Sequence, residues 1–255
     1  MKSLRLFEFE DLEWFPQPIR DAGTDFLRFM WEVGKTYMPI VPLLKKALLE
    51  ARTYEIVDLG SGGGGPTVAI YQELLKTGLP VRLTLSDKFP NLQAFRYARQ
   101  RTNGEIAFVD GPVDARAVPP HLTGFRTMFA TLHHFPPDLV RGILQDALRQ
   151  QSPIGIFDFA PFPSLLPPSW PLLANPLGVL LATPFVRPFR WSRLFWTYVL
   201  PIVPLFFLWD VFVSGLRLYS VRKLEEIVNS LPPNDYVWHV GSQRQITYLI
   251  GYLNR

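Results

Sequence analysis

The sequence predicts a parallel, doubly wound α/β sheet, and three observations carry that prediction. From residue 54 onward, short apolar runs alternate with helical stretches of 10–15 residues. The first run, Ile56-Val57-Asp58-Leu59, passes directly into a turn with five glycines in six residues, Gly60 to Gly65. The ends of the successive runs carry polar and acidic residues that such a sheet brings to one rim: the glycines, Asp87, 110–114, 131–134 and 158–160. In open α/β sheets, ligands bind beyond the carboxyl ends of the strands, where the strand order reverses.

The elements follow in order. Residues 1–50 read as a helical cap. Phe7, Phe9, Leu12, Trp14 and Phe15 precede Pro16, and Phe26, Leu27, Met30, Trp31 and Val33 have helix-like spacing. A second helix, 41–51, feeds the first strand. The cap aromatics serve either as packing or as a lid over the glycine turn. Residues 51–160 form the core, with strands expected at 54–59, 81–86, 106–110, 127–132 and 154–159. Helices are expected at 66–76, 92–101 and 137–150. At the C-terminal end, Ser220 is placed to N-cap a helix over 221–230. Two alternating strands, 236–241 and 246–252, close the sheet as an antiparallel hairpin around Ser242-Gln243-Arg244. The chain is thus expected to be a single domain, 1–255, with a cap, a core, an insertion over 161–215 and a closing helix and hairpin.

The insertion breaks the pattern. Residues 161–209 contain ten prolines and only three charges, Arg187, Arg190 and Arg193, and 194–209 carry no charge at all. Pro201 and Pro204 in the middle argue against a membrane-spanning helix. A buried apolar insertion that builds a greasy substrate pocket is the preferred expectation. A segment lying on a membrane surface, its three arginines near the headgroups, is the alternative.

Composition narrows the function classes. Apolar residues at 48% suffice for a full core, while a net charge of +4 spread over scattered Arg and Lys gives no basic run for nucleic acid. The absence of cysteine excludes disulfides, thiolate metal sites and Cys nucleophiles. It suits a reducing cytoplasm, and the early acidic residue Glu8 with no apolar signal core argues against secretion. Four histidines without a carboxylate-rich cluster at ligand spacing suggest no metal site.

The glycine turn satisfies two patterns. Gly60-x-Gly62-x-x-Gly65 is shared with nicotinamide-binding domains, whose pyrophosphate sits on bare N–H groups at a helix N-terminus. Asp58-x-Gly60-x-Gly62-x-Gly64 adds an acid beside the turn, which fits a ligand bearing a cationic amine. Asp87, at the end of the second strand, can accept two ribose hydroxyl hydrogen bonds in either case. A nicotinamide reductase is disfavoured, because no Tyr-x-x-x-Lys pair follows at the expected rim and Asp58 has no role there.

With these residues, the chain resembles the class I S-adenosylmethionine-dependent methyltransferases, in their small-molecule branch, over about residues 54–160. The resemblance implies a Rossmann-like fold and S-adenosylmethionine as cofactor. It implies that Gly60, Ser61, Gly62 and Gly64 pass under the aminoacyl part and that Asp58 helps hold the methionine moiety. Leu85-Ser86-Asp87-Lys88 looks like the ribose-binding strand end, with Phe89 available to pack on adenine. Asp114-Ala115-Arg116-Ala117-Val118-Pro119 resembles the stretch whose acid contacts the adenine amine. The run from Met128 through Thr131 to His133-His134-Phe135 is similar to the family's fourth-strand end. Four consecutive glycines followed by Pro66, and 110–112, depart from the common pattern.

Methyl transfer needs a base only if the acceptor loses a proton. His133 and His134 are the candidates, with alternation along a strand sending their rings opposite ways; a turn-stabilising role is the competing reading. Tyr219 and Asp158 are secondary candidates, and His239 reads as structural. The expected function is methyl transfer to a small lipophilic acceptor: a quinone, polyketide, terpenoid or lipid-like phenol. The alternative is a non-catalytic, membrane-peripheral or scaffolding protein on the same fold.

Overall fold

The computed structural model describes residues 6–161 and 176–254. The part of the insertion expectation that falls on 162–175 lies outside the described residues. Seven strands form one sheet in the order β3-β2-β1-β4-β5-β7-β6. These are β1 Glu55–Leu59, β2 Arg82–Ser86, β3 Ala107–Phe108, β4 Phe125–Phe129, β5 Ile154–Phe159, β6 Tyr236–Gln243 and β7 Ile246–Leu253. Strands β1 to β5 are parallel, and β7 is inserted antiparallel between β5 and β6. The order reverses between β1 and β4, beside the glycine turn that leaves β1.

Side chains alternate across the sheet and so feed two cores. Ile56, Leu83 and Phe157 point to the face covered by α2 (Val41–Glu50), α3 (Thr67–Lys76) and α4 (Leu92–Arg101). Val57, Met128 and Ile156 point to the face covered by α5 (Pro137–Arg149). A third core joins α1 (Gln17–Gly34) to the insertion, where Phe26 meets Phe207 edge-on at 5.0 Å and Phe15 meets Phe206 at 5.1 Å. The insertion comprises α6 (Pro176–Ala182), α7 (Trp191–Leu194) continuing as one π-helical turn over Phe195–Val199, and α8 (Ile202–Arg217). The closing helix α9 (Val221–Asn229) has the expected cap: Lys223 N–H donates to Ser220 Oγ at 3.2 Å.

Most boundaries fall within two residues of expectation, and three corrections are physical. Strand β3 is only Ala107–Phe108, paired by two residues at the sheet edge. Strand β4 begins at Phe125, because Arg126 is fully buried and ion-paired, and it stops at Phe129. Ala130 takes a left-handed φ of 48° and Leu132–His134 wind as a 3-10 turn. The hairpin runs longer than expected, through Gln243 and from Ile246, with Arg244 at φ 54° in the link.

The insertion also differs from the preferred expectation. Its inner face is buried, but an outer face of large apolar side chains is exposed. Of the three arginines expected near headgroups, Arg190 and Arg193 turn inward. Arg190 meets Asp21 at 2.7 Å and Asp25 at 3.2 Å, and Arg193 meets Asp25 at 3.4 Å. Among the described residues, no single helix is long and apolar enough to cross a membrane.

The Arg126–Asp146 pair fastens β4 to α5 at 2.7 Å, with both side chains almost wholly buried. Removing one partner leaves an uncompensated buried charge, which costs about 3–5 kcal/mol. Asp146→Ala is therefore expected to lower the stability measured by urea unfolding by about that amount; a loss below about 1 kcal/mol would show the pair to be incidental.

Candidate cofactor and acceptor site

One cavity of about 370 Å³ opens at the carboxyl end of β1, β2 and β4. Its wall includes Asp58, Gly60, Ser61, Gly62, Asp87, Lys88, Phe89, Asp114, Thr131, His133 and His134. These expected site residues are brought together. Gly64 is not on the wall; Gly63 and Gly65 are.

Asp58 sets the shape of the turn. Its Oδ2 accepts from Ser61 Oγ and Thr67 Oγ1, both at 2.8 Å, and its Oδ1 accepts from Thr127 Oγ1 at 2.7 Å. Burial pushes this carboxyl up to about 6 against the lowering effect of the three hydroxyls. Three of its roughly four lone-pair sites are already used, so its first role is to hold the turn together rather than to meet a ligand. Gly60, at φ 70°, has Thr131 Cγ2 only 2.6 Å from where a Cβ would stand. Gly63 lies under α1, where a Cβ would come within 2.6 Å of the Thr24 carbonyl oxygen. The cap thus rests directly on the turn, and both readings of its residues hold: Phe15 and Phe26 pack, while Leu27 and Trp31 line the cavity.

Asp87 closes the second side. Its Oδ2 accepts from Gly62 N–H at 2.7 Å and its Oδ1 from Phe89 N–H at 2.8 Å, leaving each oxygen a lone pair. Burial raises its pKa. One face of Phe89 is taken by the Arg20 guanidinium, 4.0 Å from the ring centroid. Lys88 Nζ pairs with Glu13 at 3.4 Å. Asp114 is gripped by Arg116, whose Nε and backbone N–H both lie 2.9 Å from Oδ1, and this holds its pKa low. Thr131 Oγ1 donates to the Phe129 carbonyl at 2.7 Å.

The two histidines diverge in role. They sit on a 3-10 turn, so their rings stack side by side, 4.4 Å apart, instead of pointing in opposite directions. His133 Nδ1 lies 2.9 Å from Asp158 Oδ2, which also accepts the His133 backbone N–H at 3.0 Å. Asp158 thereby fixes the tautomer in which Nδ1 carries the proton and Nε2 is the basic atom. His134 Nδ1 lies 2.8 Å from Asp11 and 3.4 Å from Glu8. Burial alone would lower its pKa, but Glu8 and Asp11 outweigh that and raise it well above its ordinary value. His134 thus holds its proton more tightly than an ordinary imidazole. Tyr219 donates to the Phe135 carbonyl at 2.7 Å and is not on the cavity wall. His239 pairs with Tyr252 at 2.9 Å within the hairpin, a structural role as expected.

Sequence reasoning missed the ionic cluster at the far end of the cavity. Arg217 of α8 reaches Glu8 at 2.6 Å and Asp11 at 3.0 Å, and Ser214 donates to Glu8 at 3.0 Å. Asp210 accepts the backbone N–H groups of Phe9 (2.8 Å) and Glu10 (3.0 Å), pinning the N-terminal segment onto α8. The available signal was an acidic trio inside an aromatic-rich segment, with Asp210 and Arg217 two turns apart on one helix face. Glu8, His133 and His134 each offer a donor atom within 4.8 Å of the others, a grouping of metal-binding type that was not expected. Arg217 already supplies the counter-charge at Glu8.

No protein-family model matches the sequence, and no curated protein matches it. Solved structures do match. The chain superposes on an O-methyltransferase family protein from Burkholderia thailandensis with a TM-score of 0.50 at 16% identity, over 86% of this chain and 56% of that one. It superposes on the S-adenosylmethionine-dependent methyltransferase SibL, in its apo form, with a TM-score of 0.53 at 13% identity, over 89% and 58%. Human N-acetylserotonin methyltransferase, solved in complex with SAM, gives 0.50 at 12% identity, over 90% and 56%. The chain therefore spans less than three-fifths of the length of these proteins. The fold is that of the class I S-adenosylmethionine-dependent methyltransferases, as the glycine turn and the rim residues led us to expect.

The cluster makes stability pH-dependent. Burial, reinforced by Asp210, lifts Glu10 from 4.5 to about 8, and burial lifts Asp210 to about 7. A group whose folded pKa lies above its unfolded one contributes fully below the unfolded value and loses that contribution as pH rises through the folded value. His134 acts in the same sense. Asp11 is held low, with His134 and Arg217 overcoming its burial, and it contributes evenly above the ordinary carboxylate range. The melting temperature is therefore expected to fall as pH rises from about 4.5 to about 8, and Glu10→Gln to flatten that fall. Thermal scans at matched ionic strength check this; an identical slope in the variant would remove Glu10 from the account.

Proposed function

We propose that the chain transfers a methyl group from S-adenosylmethionine to a small lipophilic acceptor of the quinone, polyketide, terpenoid or lipid-like phenol kind. One observation carries this reading: a single cavity joins the glycine turn and Asp87 to the His133–Asp158 pair and to the apolar inner face of α8. Its volume of about 370 Å³ lies in the range of small-molecule sites. The residues present fit the cofactor. Gly60, Gly62 and Gly63 line the wall with bare backbone packed tightly against Thr131 and Thr24, and Asp87 retains acceptor capacity for ribose hydroxyls.

When bound, S-adenosylmethionine supplies an already activated methyl group on a sulfonium. The chain then has three tasks, and its own residues suit each. Asp87 would hold the ribose, Gly60, Ser61 and Gly62 would lie under the aminoacyl part, and Asp114 would stand by with Arg116 at the adenine. Phe207, Val211, Leu27 and Trp31 exclude water around an apolar acceptor and fix its orientation. Where the acceptor is a hydroxyl, His133 takes its proton at Nε2, and Asp158 stabilises the resulting imidazolium through Nδ1. Asp158 is not itself on the cavity wall, so it is a positioning residue for His133.

Isothermal titration with S-adenosylmethionine and its demethylated product is expected to show binding of both. Asp87→Ala removes charge-assisted hydrogen bonds worth roughly 1.5–3 kcal/mol each, so affinity is expected to fall by about 10- to 100-fold or more. No binding to the folded wild type would overturn the cofactor reading. Unchanged affinity in the variant would overturn the role of Asp87.

A further inference from the structure

Helix α8 is apolar on both sides. Val203, Phe206, Phe207 and Val211 face inward. Leu205, Leu208, Phe212 and Leu216 form a second stripe at spacings of three and four, which places them along one outward face. That stripe is exposed, at 63% for Leu205 and 65% for Leu216. A helix apolar all round belongs in a core or in lipid. Neighbouring elements extend the surface. Leu181 of α6, which packs beside α8, is exposed, and so is the tip between the π-helical turn and α8, made by Val199, Leu200 and Ile202. At this tip the two helical segments meet at 82°, forming a wedge. Tyr198 stands beside the tip, and Trp191, 78% exposed, is at the other end of the segment that leads to it. Soluble monomers rarely expose a contiguous apolar surface of this extent.

The charge pattern selects the occupant. No acidic residue occurs from 159 to 209. Arg190 and Arg193 are neutralised internally by Asp21 and Asp25, leaving Arg187 as the exposed cation of the insertion. A second copy placed face to face would bring only the same acid-free stretch to this surface, whereas anionic headgroups would meet Arg187. Amphipathic aromatic residues beside an aliphatic tip suit the level of the headgroups.

We propose that the outer face of α8, the tip at 199–202 and Leu181 form a docking surface for a lipid bilayer containing anionic headgroups. The wedge enters the headgroup–acyl boundary and lies there without spanning the membrane. The inner face of the same helix lines the cavity, so an acceptor dissolved in the bilayer has a short route to it; that consequence, unlike the docking itself, rests on the methyltransferase reading.

Flotation of the full chain with phosphatidylcholine–phosphatidylglycerol vesicles tests the proposal. The wild type is expected to float with these vesicles, and less with phosphatidylcholine alone. The combined variant Leu205→Ser, Leu208→Ser, Phe212→Ser, Leu216→Ser is expected to lose partitioning by about 100-fold or more. Because all four side chains are exposed, its melting temperature and its S-adenosylmethionine titration are expected to match the wild type. A smaller change, Leu205→Ser with Leu208→Ser, gives an intermediate loss and guards against misfolding of the full variant. Two results would overturn the proposal: wild type that stays with the unbound protein, or stripe variants that float as well as wild type. Wild type that does not float but forms a dimer abolished by the same substitutions would assign the face to a second copy and overturn it equally. Cofactor titration is read separately, so failure of docking and failure of the methyltransferase reading are distinguishable.

Discussion

The buried carboxylate of Asp58 is the interaction on which the site depends. It stands at the end of β1, where the strand order of the sheet reverses, and it gathers hydroxyls from three different elements. Ser61 belongs to the glycine turn, Thr67 to the first turn of α3 and Thr127 to β4. A carboxylate taken out of water is costly unless its oxygens are filled, and three hydroxyl donors fill most of them. In return the turn is fixed in a shape that glycine alone would leave loose. Gly62 N–H can then reach Asp87, and Gly63 can lie flat beneath Thr24 of the cap. The cofactor end of the cavity is in this sense a consequence of one side chain that touches little of the cavity itself.

The other end of the cavity is organised by opposite means. There three distant segments meet: the N-terminal segment brings Glu8, Glu10 and Asp11, α8 brings Asp210, Ser214 and Arg217, and the turn after β4 brings His134. Charges rather than hydroxyls do the tying, and the acids exceed the cations that face them. Burial, with the neighbouring acids adding to it, makes Glu10 and Asp210 hold protons more tightly than ordinary carboxyls. This end closes the cavity with a polar latch laid over apolar walls. The His133–Asp158 pair sits between the two ends.

The core of the fold was legible in the sequence because β1, β2 and β5 are short apolar-rich runs set between helical stretches and because Asp58 and the glycines mark the switch point. Strand β4 was legible only in part. Arg126 looks like a loop residue until its partner Asp146, on the following helix, is seen beside it in space. At the other end, Leu132 extended an apolar run that the left-handed Ala130 in fact breaks. This break also turned His133 and His134 to the same side and separated their roles. The rim residues were legible as a set, but not their present partners: Asp114 faces Arg116, and Phe89 faces Arg20. The acid–arginine cluster was hidden because its members stand about 200 residues apart in the chain. The insertion had no readable period for a different reason. Both faces of α8 are apolar, so its sequence shows no alternation between a wet side and a dry one.

The claim that Asp58 holds the cofactor turn through its three hydroxyl partners is tested most directly by hydrogen exchange of the amides at 60–67 in Asp58→Asn. The amide side chain keeps the volume but replaces one acceptor oxygen with a donor, so at least one of the Ser61, Thr67 and Thr127 bonds is lost. The account predicts faster exchange across the turn and the start of α3, while the strands β1, β2 and β5 stay protected. Unchanged protection at 60–67 in the folded variant would contradict it.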